Sequence, residues 1–313
     1  MTQTTKEVFK KFEVRKTKNQ RLAFYDYVKD VAKKNGYTYS TEKGSFGANN
    51  IIVGDANKAE VLYTAHYDTC AKMFFPNFIT PTNFLIYLLY QIAIVVGFLG
   101  MAFGLSYVCG TAFNYINLNE ELELIISVFI PVVIYFILLF VLIAGPANKH
   151  TANDNTSGVT TLLDIMTSLP ENLRDKVAFV FFDLEESGLI GSSAFAKNHK
   201  DIRDDKLVIN FDCVSDGETI LFALKKTTRK YEELIKHAFV SNADCKVKIP
   251  KGFVFYPSDN MNFKGGIGVA ALKKAKRSEL LYMDRIHTSR DTIYREQNIE
   301  FLKNGAIKLA EII

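Results

Sequence analysis

Residues 179–192 read Phe-Val-Phe-Phe-Asp-Leu-Glu-Glu-Ser-Gly-Leu-Ile-Gly-Ser, and this stretch sets the architecture of the chain. The apolar run from Val177 to Phe182 is typical of a strand that is buried on both faces of a sheet. Glu185 and Glu186 follow it directly, and a glycine-containing turn then leads into the start of a helix. Because open α/β sheets place their ligands beyond the carboxyl ends of the strands, this turn is the first candidate for a functional site.

The two adjacent glutamates need different roles, because successive side chains at the end of a strand point in different directions. The two roles are naturally divided if one glutamate binds a metal ion and the other acts as a general base beside it. The alternative is a solvated acidic loop, which a lone pair of glutamates does not exclude.

The composition is that of a folded protein without a nucleic-acid partner. The chain has 313 residues, of which 48% are hydrophobic and 23% charged, so one large or two small domains fit. The net charge is +4 and the basic residues are scattered, which gives no basic patch for nucleic acid. The four cysteines form no Cys-x-x-Cys pair, which favours reduced thiols in the cytosol over a disulfide framework. Residues 1–40 are polar and charged and contain no signal peptide, so we expect the soluble part to stay in the cytosol.

A second buried strand ends in a histidine and an aspartate. The apolar residues before His66 predict this strand, and alternation along it places His66 and Asp68 on the same face. An imidazole beside a carboxylate is a common metal-ligand arrangement, in which the acid fixes the orientation of the ring. The alternative is an ordinary polar strand end, because so short a motif is frequent by chance.

Two long uncharged runs interrupt the soluble sequence. Residues 73–119 contain no Asp, Glu, Lys or Arg, and a second uncharged run covers residues 124–148. Each exceeds the ~20 residues that a helix needs to cross a bilayer. A buried core helix is the alternative, but two such lengths without a polar face disfavour it. We predict a hairpin of two transmembrane helices, at about residues 84–113 and 122–145.

The charges that flank the hairpin predict its orientation. Lys72 and Lys149 lie at its outer ends, and the loop between the two spans carries only acidic charges. The positive-inside bias therefore predicts two spans in the cell (inner) membrane, with the flanking soluble domain in the cytoplasm. Residues 84–145 would contact the lipid bilayer. Gly100 and Gly104 match a small-residue packing pattern, which suits packing within the hairpin or, as the second interpretation, a homo-oligomer contact.

Further acidic and histidine side chains follow predicted strands or precede helices. Asp154 lies in a polar loop before a predicted helix, where its alternative role is a helix N-cap. Asp212 ends a third buried strand, and His287 lies in a late loop. Two histidines with several carboxylates suit zinc, cobalt or manganese better than calcium. Five ligands and a spare glutamate indicate two metals that share one bridging carboxylate.

With these residues in place, the sequence resembles the M28 family of metallopeptidases, the zinc aminopeptidases that carry a co-catalytic metal pair. Six motifs carry the resemblance, in the family's order: Ala65-His66-Tyr-Asp68, Asn153-Asp154-Asn155-Thr-Ser-Gly158, Glu185-Glu186-Ser-Gly-Leu-Ile-Gly-Ser192, Asn210-Phe-Asp212, Ser258-Asp259-Asn260 and His287-Thr-Ser-Arg-Asp291-Thr292. They cover the soluble chain from about residue 50 to residue 292. The sequence departs from the family at Asn260, where a histidine is frequent, and in the hairpin, where typical members have a short connection.

The resemblance implies a fold and a domain organisation. The fold is of the α/β class, with a central mixed, largely parallel sheet flanked by helices and a transmembrane helical hairpin inserted into it. A discontinuous M28-like catalytic domain would comprise residues 1–72 and 146–313. The inserted membrane hairpin would comprise residues 73–145.

The resemblance also implies which residues bind metal. Asp154 would bridge two divalent ions, zinc or else cobalt or manganese. His66 and Asp212 would complete one metal site, and Glu186 and His287 would complete the other.

The implied catalytic residues lie beside this metal pair. Glu185 would be the general base, and Asp68 would orient His66. Tyr256 lies where some relatives have a tyrosine that helps to hold the oxyanion, and a purely structural tyrosine is the alternative.

The resulting hypothesis is a membrane-anchored di-metal aminopeptidase, which hydrolyses the N-terminal residues of peptides through a metal-activated water. The alternatives are a carboxypeptidase, another amide hydrolase of the same fold such as a glutaminyl cyclase, or a non-catalytic membrane adaptor. The cyclases of the family use a single zinc, so a complete set of five ligands argues against them. Because the loop after His66 would lie close to the metals, we expect the substrates to be short or apolar peptides at the inner membrane face.

Overall fold

The computed structural model describes residues 1–113 and 120–313, so residues 114–119 of the predicted loop between the two spans lie outside the described residues. The described strands are β1 (Tyr39–Lys43), β2 (Asn49–Val53), β3 (Val61–His66), β4 (Val177–Phe182), β5 (Leu207–Phe211), β6 (Thr219–Ala223), β7 (Lys246–Lys248), β8 (Gly266–Lys274) and β9 (Leu281–Tyr282). The described α-helices are α1 (Gln3–Phe12), α2 (Lys18–Lys34), α3 (Phe84–Phe113), α4 (Glu120–Ala144), α5 (Gly158–Ser168), α6 (Ile190–Asn198), α7 (Lys200–Asp205), α8 (Glu232–Ala238) and α9 (Glu296–Ile312).

The strands form one mixed sheet in the order β1-β2-β4-β3-β5-β8-β6-β7, and β9 pairs with β8. The central strands β4, β3, β5 and β8 are mutually parallel. The pairs β1-β2, β2-β4, β6-β8 and β8-β9 are antiparallel, and β7 pairs with β6 in parallel register. This arrangement confirms the predicted fold class. Since parallel strands end at the same edge, the residues after β3, β4 and β5 are brought together there.

Helices cover both faces of the central strands, which explains their continuous apolar sequences. Alternate residues of β3 enter opposite cores: Tyr63 packs in one hydrophobic cluster and Leu62 in the other. The first cluster includes side chains of α2, α5 and α9, and the second includes side chains of α6 and α7. With both faces buried, the sheet has its accessible polar groups at its edges and strand ends.

The two apolar helices are long enough to cross a membrane by length and composition. The candidate spans are Phe84–Thr111, with 28 residues, and Glu121–Ala144, with 24 residues, and little of either is buried inside the protein. Pro131 lies inside the second helix, α4. A core helix of a soluble protein would instead bury one face against its neighbours.

The chain leaves and re-enters the sheet at adjacent points on either side of these helices. Ala71 and Ala147 form an antiparallel bridge, and the Lys72 amide donates to the carbonyl of Pro146 over 2.8 Å. The pair of helices therefore extends from the loop that follows His66. The division into a catalytic domain and an inserted hairpin at residues 73 and 145 stays a prediction.

Candidate metal centre

The structure brings the five predicted metal ligands together at the carboxyl edge of the parallel strands. They come from the end of β3, the loop before α5, the turn after β4, the residue after β5 and the loop after β9: His66, Asp154, Glu186, Asp212 and His287. Asp154 does not cap α5, because Ser157 holds the N-cap position and the carboxylate of Asp154 faces two imidazole rings.

Asp154 lies between the two histidines, with one carboxylate oxygen beside each. Its Oδ1 is 3.3 Å from Nε2 of His66, and its Oδ2 is 3.0 Å from Nε2 of His287. Asp212 approaches His66 to 3.4 Å, and Glu186 approaches His287 to 3.2 Å. Each histidine thus has a carboxylate of its own and shares Asp154 with the other. The ligands form two overlapping groups of the kind that a metal pair with one bridging carboxylate requires.

The donor atoms fit metal ions in spacing and in hydrogen-bonding need. Ligand atoms of Asp154, Glu186 and His287 lie within 4.8 Å of one another, and so do those of His66, Glu185 and Asp212. The Oε1 atom of Glu186 is buried without a hydrogen-bond partner, which is costly for a carboxylate unless a cation binds it. Histidine nitrogens and carboxylate oxygens are ligands that zinc accepts.

The charges of the cluster favour a bound cation. Burial acts to raise the pKa of Asp154, but the hydrogen bonds with His287 and His66 outweigh it and lower that pKa. Burial acts to lower the pKa of His66, yet Glu185, Asp154 and Asp212 together raise it well above its ordinary value. The carboxylates therefore attract positive charge strongly enough to overcome the cost of burying it.

Asp68, which is predicted to orient His66, also contacts the acidic turn after β4. Its Oδ1 lies 3.5 Å from Nδ1 of His66. The same carboxylate accepts the backbone amides of Glu185 at 3.0 Å and Glu186 at 3.1 Å. One buried side chain thus fixes both the histidine at the end of β3 and the acidic turn after β4.

Glu185 lies in the group formed by His66 and Asp212, as a base beside the metal site would. Burial raises the pKa of Glu185 well above its ordinary value; His66 opposes this shift, and Glu186 and Asp212 add to it. A raised pKa brings a carboxylate closer to the range in which it can both accept and return a proton near neutral pH.

Asp291 holds the loop that carries Asp154, a role that sequence reasoning did not assign. Its two oxygens accept the backbone amides of Asn153 at 2.7 Å and Asp154 at 3.0 Å. Burial raises the pKa of Asp291 to about 8, and the charge of Asp154 adds to the shift. The sequence did offer a signal for Asp291, because it lies four residues after the predicted ligand His287 in the same motif.

Arg15 is fully buried behind two of the ligand loops, and sequence reasoning missed it. Its guanidinium donates to the carbonyl of Tyr67 over 2.5 Å and to Oγ1 of Thr156 over 3.2 Å. Its backbone amide donates to Oγ1 of Thr69 over 3.0 Å. Burial lowers the pKa of Arg15 to about 10, although Asp68 opposes the shift. The Arg15 guanidinium therefore connects the loop after His66 with the loop around Asp154, on the side away from the ligands.

Unusual backbone conformations are concentrated around the site. Leu184, Leu189, Cys213 and His287 have φ between 54° and 60°, in the left-handed region that residues other than glycine rarely adopt. All four lie in the turns after strands that end at this edge. Conformations of this kind cluster where the structure fixes functional side chains.

Tyr256 lies at the site, but its hydroxyl is already engaged. The hydroxyl donates to the backbone carbonyl of Asp212 over 2.9 Å, and the side chain is buried. A phenol has one proton to donate, so this hydrogen bond favours the structural alternative. A role in holding the oxyanion stays a prediction.

A small cavity of about 130 Å³ opens over these residues. The predicted ligands, Glu185 and Tyr256 line it, together with Asn77, Ile79, Cys213, Pro257 and Ile286. Asn77 and Ile79 belong to the segment between β3 and α3, so the sequence before the first apolar helix forms part of the wall.

The fold and its cluster of histidine and carboxylate side chains define a metallopeptidase-type hydrolase. The chain belongs to peptidase family M28, whose sequence model matches residues 140–311. This family is zinc-dependent, in agreement with the donor set described above. No curated protein matches the chain.

Solved structures with the same fold include peptidases and cyclases. The LapA aminopeptidase of Legionella pneumophila superposes with a TM-score of 0.56 at 13% identity, over 98% of this chain and 69% of that chain. A leucine aminopeptidase precursor from Bacteroides thetaiotaomicron gives 0.58 at 12% identity, over 99% and 95%. A glutaminyl cyclase from Porphyromonas gingivalis gives 0.57 at 15% identity, over 98% and 96%. At these identities the likeness shows the fold alone.

Proposed function

We propose that the protein is a membrane-anchored aminopeptidase that uses two divalent metal ions, zinc in the first instance. The observation that carries the proposal is the position of Asp154, whose two oxygens lie beside two different histidines. A site for a single ion would not need a second histidine on the far side of that carboxylate.

His66 and Asp212 would hold one ion, Glu186 and His287 the other, and Asp154 both. When bound, the ions would supply Lewis-acid activation of water and of the scissile carbonyl. Cobalt and manganese accept the same ligands and are the alternatives to zinc.

Glu185 would take a proton from the attacking water and deliver one to the leaving amine. Its position within the group of His66 and Asp212 supports this role, because it places the carboxylate beside one of the two proposed metal sites. Asp68 would fix the positions of Glu185 and His66 relative to each other through the contacts described above.

The pocket offers no basic side chain for the C-terminal carboxylate of a peptide, because no lysine or arginine lines it among the described residues. Arginine and lysine are the side chains that pair with carboxylates, so this lining favours an aminopeptidase over a carboxypeptidase. The second histidine favours a peptidase over a glutaminyl cyclase of the family's single-zinc type.

We also propose that α3 and α4 cross the cell membrane, with the catalytic domain on the cytoplasmic side. The lengths of the two spans and the lysines at their outer ends support this orientation. The substrates would be short or apolar peptides at the membrane face. The helix face with Gly100 and Gly104 would pack within the hairpin, and a contact between two copies of the chain is the alternative use of that face.

A panel of substrates tests the reaction class. The detergent-purified protein, as apoprotein and with added zinc, cobalt or manganese, is given aminoacyl-arylamides and N-blocked peptides. We expect metal-dependent release of free N-terminal residues and no cleavage of blocked peptides. Cleavage of the blocked peptides alone would replace the aminopeptidase with a carboxypeptidase or endopeptidase. Metal binding with no hydrolysis of any substrate would favour the non-catalytic adaptor.

A further inference from the structure

The segment that leads into α3, residues 73–83, is here called the hairpin base, and it runs directly beside the candidate metal centre. The amide of Met73 donates to the carbonyl of His287 over 2.6 Å. Further along, Ile79 and Met283 form an antiparallel bridge in which each amide donates to the other's carbonyl at 2.9 Å. The hairpin base therefore follows the chain that leads from β9 to His287.

Contacts on the other side fix the hairpin base against the loop that carries Tyr256. The amide of Phe255 donates to the carbonyl of Pro81 over 3.0 Å. Within α3, the rings of Phe84 and Tyr87 lie 5.4 Å and 5.5 Å from the ring of Phe255. Such aromatic contacts are typical of packed pairs. The first turn of α3 and the wall of the site are thus one packed unit.

A third contact involves the residue next to Ile79. The ring of Phe78 stacks on Tyr282 of β9 at 5.4 Å, and Phe78 does not line the cavity. Phe78 therefore faces away from the site, whereas Ile79 faces into it. The two neighbours provide a matched pair for mutation.

The cavity is small, and its walls beside the ligands are largely apolar. Its volume is about 130 Å³, and Ile79, Pro257 and Ile286 supply aliphatic surface. A substrate side chain that enters beside the ligands would therefore meet these aliphatic side chains, and Ile79 is the one that the hairpin base supplies.

We propose that Ile79 is a specificity-determining residue, which limits the size of the N-terminal side chain that the pocket accepts. This inference rests on the proposed aminopeptidase function and adds the substrate class. Because the hairpin base continues into α3, the segment that leads to the apolar helices also shapes the pocket. Removing a few methyl groups from such a wall changes discrimination by about 10–200-fold.

The test compares kcat/KM for alanyl-, leucyl- and phenylalanyl-arylamides in the full-length, zinc-loaded protein. Ile79→Ala should raise the phenylalanine-to-alanine ratio at least about tenfold, because it removes bulk from the wall beside the ligands. Phe78→Ala removes a neighbouring side chain of the same segment and should leave the ratio unchanged. A ratio that Ile79→Ala leaves within twofold of wild type, or an equal rise in Phe78→Ala, would overturn the proposal.

Two additions keep the test independent of folding and of turnover. Ile79→Val retains a β-branched side chain in the bridge and should shift the leucine-to-alanine ratio in the same direction by less. A second experiment measures affinity without catalysis. Calorimetry gives the Kd of alanine hydroxamate and of phenylalanine hydroxamate for zinc-loaded Glu185→Gln, with and without Ile79→Ala. Absence of turnover with every arylamide would contradict the proposed function, while the hydroxamate affinity ratio still decides the role of Ile79. Equal binding of the two hydroxamates before and after Ile79→Ala would refute that role.

Discussion

The guanidinium of Arg15 contacts two loops that carry candidate ligands without reaching the ligands themselves. It donates to the carbonyl of Tyr67, next to His66, and to Thr156, two residues after Asp154. Hydrogen-bond partners that orient metal ligands typically contribute about 10–100-fold to metal affinity. We therefore expect Arg15 to act as a positioning residue for the proposed metal centre.

We expect Arg15→Lys to weaken zinc binding by about tenfold, because lysine keeps the charge but lacks the planar fork that reaches both loops. Competition between the apoprotein and a chelator of known affinity measures this change. Lys29→Arg, on α2 and outside these contacts, is the control and should bind zinc as wild type does. Unchanged affinity in Arg15→Lys would show that charge alone matters at this position.

The carboxyl of Asp183, just before the acidic turn, predicts a dependence of stability on pH. It pairs with Nε of Arg21 at 2.8 Å and accepts the amide of Asn49 at 3.0 Å. Burial raises its pKa to about 6, and the charge of Asp68 adds to the shift while Arg21 opposes it. Since the folded state then holds this proton more tightly than the unfolded state, stability decreases as pH rises from about 4 to about 6.

The free energy of unfolding should lose up to about 3 kcal/mol over this interval through Asp183, at 1.36 kcal/mol for each pH unit of difference. Asp183→Asn removes the titrating group, so its stability should fall less over the same interval. Thermal unfolding of both proteins in detergent between pH 4 and pH 7 measures the difference. Parallel pH profiles for the two proteins would contradict this assignment.

Among the helices and strands, those with strong apolar patterns were predicted closely. The strand from Val177 to Phe182 was predicted with its observed bounds, because burial on both faces requires an unbroken apolar run. The bounds of helix α2 are likewise marked in the sequence, because Thr17 caps its start and Gly36 follows its end. The sequence motifs also indicated which side chains would gather at the strand ends.

Other parts of the fold depend on contacts that local sequence does not encode. Helix α1 was missed, although Val8 and Phe12 have helical spacing and Thr2 caps its first turn, because the segment is mostly polar. The burial of Arg15 depends on the position of that helix over the loops after β3 and before α5. The role of Asp291 likewise depends on a loop 137 residues away in sequence.

The packing of α3 against the loop at residues 253–257 gives a prediction about this pair of elements. We expect Phe255→Ala to lower kcat/KM by about tenfold, equal to about 1.4 kcal/mol, because it removes the ring that packs the loop of Tyr256 and Pro257 against the first turn of α3. Phe74→Ala is a suitable control, because Phe74 is 79% exposed. An equal loss of activity in Phe255→Ala and Phe74→Ala would contradict a specific role for the contacts of Phe255 with α3.

For the molecule as a whole, the proposed anchor and the catalytic site share the chain between His66 and Asp154. Replacing residues 84–144 with a short Gly-Ser linker removes both apolar helices and retains the hairpin base with Ile79. We expect this variant to lose association with liposomes, because the two spans supply the apolar length that a bilayer core accepts. Flotation through a density gradient measures the association.

The same variant separates anchoring from catalysis. It should still hydrolyse a soluble alanyl-arylamide, because the ligands and the hairpin base remain, but it should lose turnover of a bilayer-bound peptide. Undiminished flotation with liposomes would contradict the anchoring role. Equal turnover of the bilayer-bound peptide by both proteins would contradict the proposed substrate location.

The central claim is a metal-dependent hydrolase in which Glu185 moves the proton and Asp154 joins two metal sites. The most direct measurement is the hydrolysis rate of an alanyl-arylamide by wild type and Glu185→Gln, with the bound zinc counted in each protein. We predict two zinc ions per chain in both proteins and a fall in kcat of at least about 100-fold in Glu185→Gln, the contribution expected of a general base. Undiminished hydrolysis by Glu185→Gln, or a single zinc in the active wild type, would contradict the account.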